Sequence, residues 1–106
     1  MSVAKVVTAS GDLVIPAQSI IYGIHLTTHH LAAGAPPSDP CIVDLFNAAT
    51  QAAGSATNKV VQLVAMAGQQ VDRQSILFPA GVRCLNGGSI TITANGNNPS
   101  VTIDYS

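Results

Sequence analysis

Short β-branched runs, broken by glycine, proline or asparagine every ~8–12 residues, constrain this chain more than any other feature. Residues 5–10 carry Val6, Val7 and Thr8 before Gly11-Asp12 breaks the run. Leu13-Val14-Ile15 stops at Pro16, which cannot donate to a central ladder. Residues 19–28 form the longest alternation. It predicts Ile20, Tyr22, Ile24 and Leu26 on one face and Ile21, Gly23, His25 and Thr27 on the other. Three prolines in residues 32–40 predict a long surface loop. Residues 41–47 predict a strand with Cys41, Val43 and Leu45 on one side and Ile42, Asp44 and Phe46 on the other. Residues 48–58 are alanine-rich, which favours helix, but Gly54, Ser55, Thr57 and Asn58 interrupt them. They read as a hairpin connection with room for a helical turn. Residues 59–67 return as a strand, and residues 68–74 read as polar loop.

The last third reads as four more strands. Residues 75–78 end at Pro79-Ala80-Gly81, and residues 82–85 close at Asn86-Gly87-Gly88. Residues 89–94 and 101–105 predict a hairpin around Asn95-Gly96-Asn97-Asn98-Pro99-Ser100. In that hairpin Ile90 and Ile92 share a face with Val101, Ile103 and Tyr105, and Thr91 and Thr93 stand beside Thr102 and Asp104. The expected fold is all-β: a small antiparallel β-sandwich or barrel of about seven to nine short strands, jelly-roll-like. Residues 1–106 are expected to form one domain with a proline-rich loop at residues 31–40.

The surface of such a domain must be built almost without charge. The chain has four basic and five acidic residues, all five of them aspartate, against 29 Ser, Thr, Asn and Gln. A surface so weakly charged gives little colloidal protection and suits a subunit packed against neighbours. The alternative is a monomeric β domain kept soluble by its Ser, Thr and Asn. Lys5, Lys59, Arg73 and Arg83 are scattered, so binding nucleic acid through a basic stripe is not expected. No apolar stretch approaches the roughly 20 residues that span a bilayer, so no membrane partner is expected. The first residues lack the apolar core of a signal peptide, which places the expected chain in the cytosol of its producing cell. Cys41 and Cys84 have the option of pairing, but two cysteines make no framework, and free, buried thiols are expected in a reducing cytosol.

The chemical candidates are few. His25, His29 and His30 invite a metal reading, but His25 and His29 on one strand face stand about 13 Å apart, and neighbours His29 and His30 point to opposite faces. A polar strand end is the simpler reading; a histidine cluster on an oligomer axis is the alternative. Asp12, Asp39, Asp44, Asp72 and Asp104 read as isolated carboxylates, with Asp12 and Asp39 in turn contexts. Asp44 lies inside an apolar strand, so it faces solvent or pairs with one of the four cations. Ser, His and Asp are all present, but there is no Gly-x-Ser-x-Gly elbow and no phosphate-binding glycine loop. No catalytic, cofactor-binding or metal-binding residue is assigned, no cofactor is implied, and no enzymatic activity is expected.

The order of segments resembles the small virion proteins of tailed bacteriophages. The resembling stretches are Lys5-Val6-Val7-Thr8-Ala9-Ser10-Gly11, the strand of Ile20 and Leu26, Val43-Asp44-Leu45-Phe46-Asn47-Ala48-Ala49, and Lys59-Val60-Val61. An Ala/Gly/Thr-rich connection before Lys59, the stretch Leu77-Phe78-Pro79-Ala80-Gly81-Val82-Arg83-Cys84-Leu85-Asn86-Gly87-Gly88, a two-strand hairpin and a tyrosine near the last residue complete the pattern. Residues 31–40 look like an insertion: an arm to a neighbouring subunit or shell, or a tolerated surface loop. The resemblance implies a capsid decoration, or cement, protein on the virion surface. It implies a homotrimer that binds the major capsid protein and is assembled in the host cytoplasm. A minor tail, baseplate or head–tail junction protein is the first alternative. A module binding host-surface glycans is the second, and it needs exposed aromatic rings among Tyr22, Phe46, Phe78 and Tyr105.

Overall fold

Alternating apolar and polar residues give each strand one face to bury, and two such faces packed together make a core. The computed structural model describes residues 2–29, 40–65, 71–95 and 98–106. Among them are eight strands: β1 (Val3–Val7), β2 (Gly11–Ile15), β3 (Ser19–His29), β4 (Cys41–Asn47), β5 (Lys59–Ala65), β6 (Val71–Cys84), β7 (Gly88–Thr93) and β8 (Asn98–Tyr105). They form two four-stranded antiparallel sheets: sheet A in the order β1-β8-β3-β6, and sheet B in the order β2-β7-β4-β5. The expected all-β sandwich is the observed one.

Between the sheets, Ile24, Leu26, Leu45, Leu63, Ile90, Val101 and Ile103 are at most 1% exposed. Each such side chain contributes about 1.5–3 kcal/mol. Strand β4 places Cys41, Val43 and Leu45 inside, as its alternation predicts. The connection after β4 carries one 3-10 turn at Gln51–Ala53, capped by the Thr50 hydroxyl accepting from the Ala53 N–H.

Five readings of the sequence need correction. Residues 89–94 and 101–105 form no hairpin. Strand β7 lies between β2 and β4, and β8 lies between β1 and β3 in the other sheet. Both sides of each strand are already paired, so the connection crosses the roughly 10 Å between sheets instead of turning within one. Ile90 and Ile103 therefore enter the core from opposite sheets.

Residues 71–74 are strand, not loop: Asp72, Arg73 and Gln74 pair with Thr28, Thr27 and Leu26. An edge strand tolerates such polarity because only one of its rims is paired. Residues 68–70 lie outside the described residues.

Residues 75–78 and 82–85 are largely halves of one strand, β6, ending at Cys84. It continues through a bulge, since Leu77 pairs with Gly23 and Val82 with Ile21, so that residues 78–81 stand against Tyr22 alone. Pro79 lacks a donor and Gly81 has φ +76°, so both are suited to leaving the ladder.

On the other side of β3 a second bulge makes Tyr22 the extra residue, because Ile21 and Gly23 pair with the consecutive residues Tyr105 and Asp104 of β8. The inward phase switches there. Ile21 is buried before the bulge, and Ile24, Leu26 and Thr28 after it, while Tyr22 is turned out. Lastly, β1 begins two residues earlier than read and ends at Val7.

Cys41 and Cys84 are free and buried. Cys84 accepts from the Gly87 N–H, and Gly88 pairs with Asn47, six residues along β4 from Cys41. That separation of about 20 Å is far beyond disulfide reach. Burial pushes both thiols above the ordinary thiol range. The proline-rich loop lies outside the described residues except for Pro40, whose carbonyl accepts from Asn95 Nδ2 at 2.8 Å.

Candidate assembly surface

Strand register arranges the outer face of sheet A in rows that cross all four strands. One row runs Ala4, Asp104, Gly23, Leu77; the next runs Val6, Thr102, His25, Ser75. Beyond them Ser100, Thr27 and Arg73 line up on β8, β3 and β6. The face is polar at its centre, and each rim strand adds one exposed apolar side chain. Leu77 is 67% exposed on β6 and Val6 60% on β1.

At its centre His25 joins two residues distant in sequence. Its Nε2 lies 2.9 Å from Asp104 Oδ2, and its Nδ1 lies 2.9 Å from Ser75 Oγ. Ser75 is the direct cross-strand neighbour, whereas Asp104 is reached on the diagonal. Gly23 leaves that diagonal open: a Cβ there would lie 3.1 Å from Leu77 Cδ2 and 3.4 Å from His25 Nε2. With His25 protonated the pair is a partly exposed salt bridge, worth about 0–1 kcal/mol.

The trio reproduces the residue types of a hydrolase triad in a different setting. Ser75 sits mid-strand on an open sheet face, and no cavity opens among the described residues. The ring presents Nδ1 to the serine and Nε2 to the carboxylate. That is the reverse of the serine-protease arrangement.

Of the other histidines, His29 ends β3, its backbone paired with Val71 and Asn98, and His30 lies outside the described residues. Asp104, read as isolated, is thus the partner of His25, and no spacing in the sequence signals it. Among the described residues no three His, Cys, Asp or Glu side chains gather as a metal set. No helix among them is long and apolar enough to cross a membrane.

The outer face of sheet B is partly covered. Phe46 lies beneath Gly54 of the β4–β5 connection, and Thr91 reaches Gln51 at 3.5 Å. Asp44 takes the second option read for it: Lys59 Nζ lies 3.2 Å from its Oδ1, to which Gln62 Nε2 also donates at 2.9 Å. Lys59 also stands 5.8 Å from the centre of the Phe46 ring. Asp12 accepts from a backbone N–H, as a turn aspartate does, but that of Gln51, tying β2 to the 3-10 turn. Asp72 accepts from the Arg73 N–H, and Asp39 lies outside the described residues. Of the four aromatic rings Tyr22 is the exposed one, its hydroxyl 2.9 Å from Ser106 Oγ. Phe78 and Tyr105 pack against the core.

No family model and no curated protein matches the chain. Among solved structures, one described as the cyanophage Pam1 capsid asymmetric unit is similar over 98% of this chain and 80% of that chain, at 14% identity and a TM-score of 0.32.

Proposed function

We propose that this chain is a structural virion protein that decorates and stabilises a bacteriophage capsid. In this reading it binds the lattice of the major capsid protein as a homo-oligomer, expected to be a trimer. The observation that carries the reading is the outer face of sheet A, without a cavity among the described residues and with Val6 and Leu77 exposed on its two edge strands. Such a face lies against another protein surface; it has no wall to enclose a small ligand.

Sparse charge adds support, because neither rim carries the row of lysines that discourages edge pairing. We read the nested pairing β1–β8, β2–β7, β3–β6 and β4–β5 as a jelly roll, an architecture that viral capsid domains use. Several copies engaging a preassembled shell together would multiply individually weak contacts. The strand-and-turn order of the sequence supplies the phage setting.

The reading includes no catalysis. Turnover of a nitrophenyl ester that disappears in Ser75→Ala would overturn that part.

Co-sedimentation of the purified protein with empty shells is the decisive test. Saturable binding at a copy number on the scale of the shell lattice is expected. Absence of binding refutes the decoration role, and a small ring-like copy number on whole particles assigns the chain to a tail, baseplate or junction instead.

A further inference from the structure

Sheet A ends in two unlike rims, and their directions are fixed by its strand count. Strand β1 is antiparallel to β8, β8 to β3 and β3 to β6, so β1 and β6 run in opposite directions. Copies set side by side in one orientation therefore bring β6 of one against β1 of the next as an antiparallel pair.

Each rim strand is paired on one side only and exposes large apolar side chains. Of the five residues of β1 only Val7 is buried, and Val3 and Val6 are 50% and 60% exposed on opposite faces. On β6 the uncharged stretch Ser75-Ile76-Leu77-Phe78 carries Leu77 on the same outer face as Val6. Sheet B, in contrast, blunts its rims. Strand β2 is irregular between Gly11 and Ile15, where the Leu13 N–H turns to the Ser89 hydroxyl. On β5, the Val64 N–H donates to the Gln74 side chain.

Charge decides between the possible pairings. Lys5 is the middle residue of β1, so pairing β1 with itself over its full length sets Lys5 opposite Lys5, a like-charge contact that destabilises. Pairing β6 with itself leaves the β1 rim bare. A head-to-tail contact covers both rims of every copy with one interface, and it closes when the rotation between copies completes a ring.

We propose that the free edge of β1 of one copy pairs antiparallel with the free edge of β6 at residues 75–78 of the next, running sheet A unbroken around a closed ring. This rests on the self-association proposed above and names its contact.

The test uses two full-length variants, Val6→Lys and Leu77→Lys, each adding a charge at one exposed rim. Each alone falls to the mass of one 10.8 kDa chain in sedimentation equilibrium. Mixed in equal amounts, they form a dimer of twice that mass, because each still owns one intact rim of the opposite kind. Persistence of the wild-type oligomer in either variant, or no dimer in the mixture, overturns the contact and leaves self-association standing. A wild type that is itself monomeric overturns both. Hydrogen exchange on the wild type gives a second reading that needs no variant. Slowed amides in β1 and residues 75–78 are expected in the oligomer relative to dilute monomer, and equal rates contradict the contact.

Discussion

At Gly23 the outer face of sheet A lacks a side chain, and both His25 and Leu77 use the space. Gly23→Val fills it and must displace Leu77 or part His25 from Asp104. A loss of about 1–3 kcal/mol in urea unfolding is expected, with a shifted imidazole resonance for His25. An unchanged resonance would show that the ring never depended on the gap. The buried thiols make a second prediction. Folding keeps Cys41 and Cys84 protonated above the pH at which the unfolded chain releases them. Their contribution is therefore fully present below the ordinary thiol range of about 8.5 and is lost as pH rises above it. Stability should fall by up to about 1.4 kcal/mol per thiol for each pH unit, and less in Cys41→Ala/Cys84→Ala. Asp44→Asn should cost under about 1 kcal/mol and should narrow the response to salt, since its partner Lys59 is partly exposed. At this scale the sequence was half legible. The alternation of residues 41–47 marked Asp44 for solvent or a cation. Nothing in spacing joined His25 to partners 50 and 79 residues away.

Among the elements, β6 holds the most specific test. Gly81 has φ +76°, and a Cβ there would lie 2.5 Å from Ile20 Cγ2. Gly81→Ala should cost about 1–2 kcal/mol, read as a lower urea midpoint, because it strains the backbone and pushes on β3. A neutral result would mean that the bulge rearranges freely. Strands with clean alternation, such as β4, were legible at nearly their true ends. The bulges were not: Ile20, Tyr22, Ile24 and Leu26 alternate without interruption, and only a partner strand one residue short reveals the switch of face. The partners of β7 and β8 were also hidden. The asparagine-rich stretch read as a turn at residues 95–100 suits a hairpin and a crossing between sheets equally, and the choice rests on which strand edges are free.

For the whole molecule the strand order is the governing fact. Among the described residues, β4 and β5 are the only consecutive strands that pair, and every other ladder joins segments distant in sequence. Ends must meet before most hydrogen bonds form, so refolding should fall in the slow range of about milliseconds to seconds, measurable by stopped-flow fluorescence of the tyrosines. The two-layer class was legible because periodicity and turn residues are local, whereas the nesting is not. The same fold leaves sheet A open at two rims, each with an uncharged apolar stretch beside its few charges, and the central claim is that copies of the chain close them. Sedimentation velocity of the wild type over a wide concentration range tests this most directly. A stable species at a whole-number multiple of 10.8 kDa is predicted, and a single species of 10.8 kDa at every concentration would contradict it.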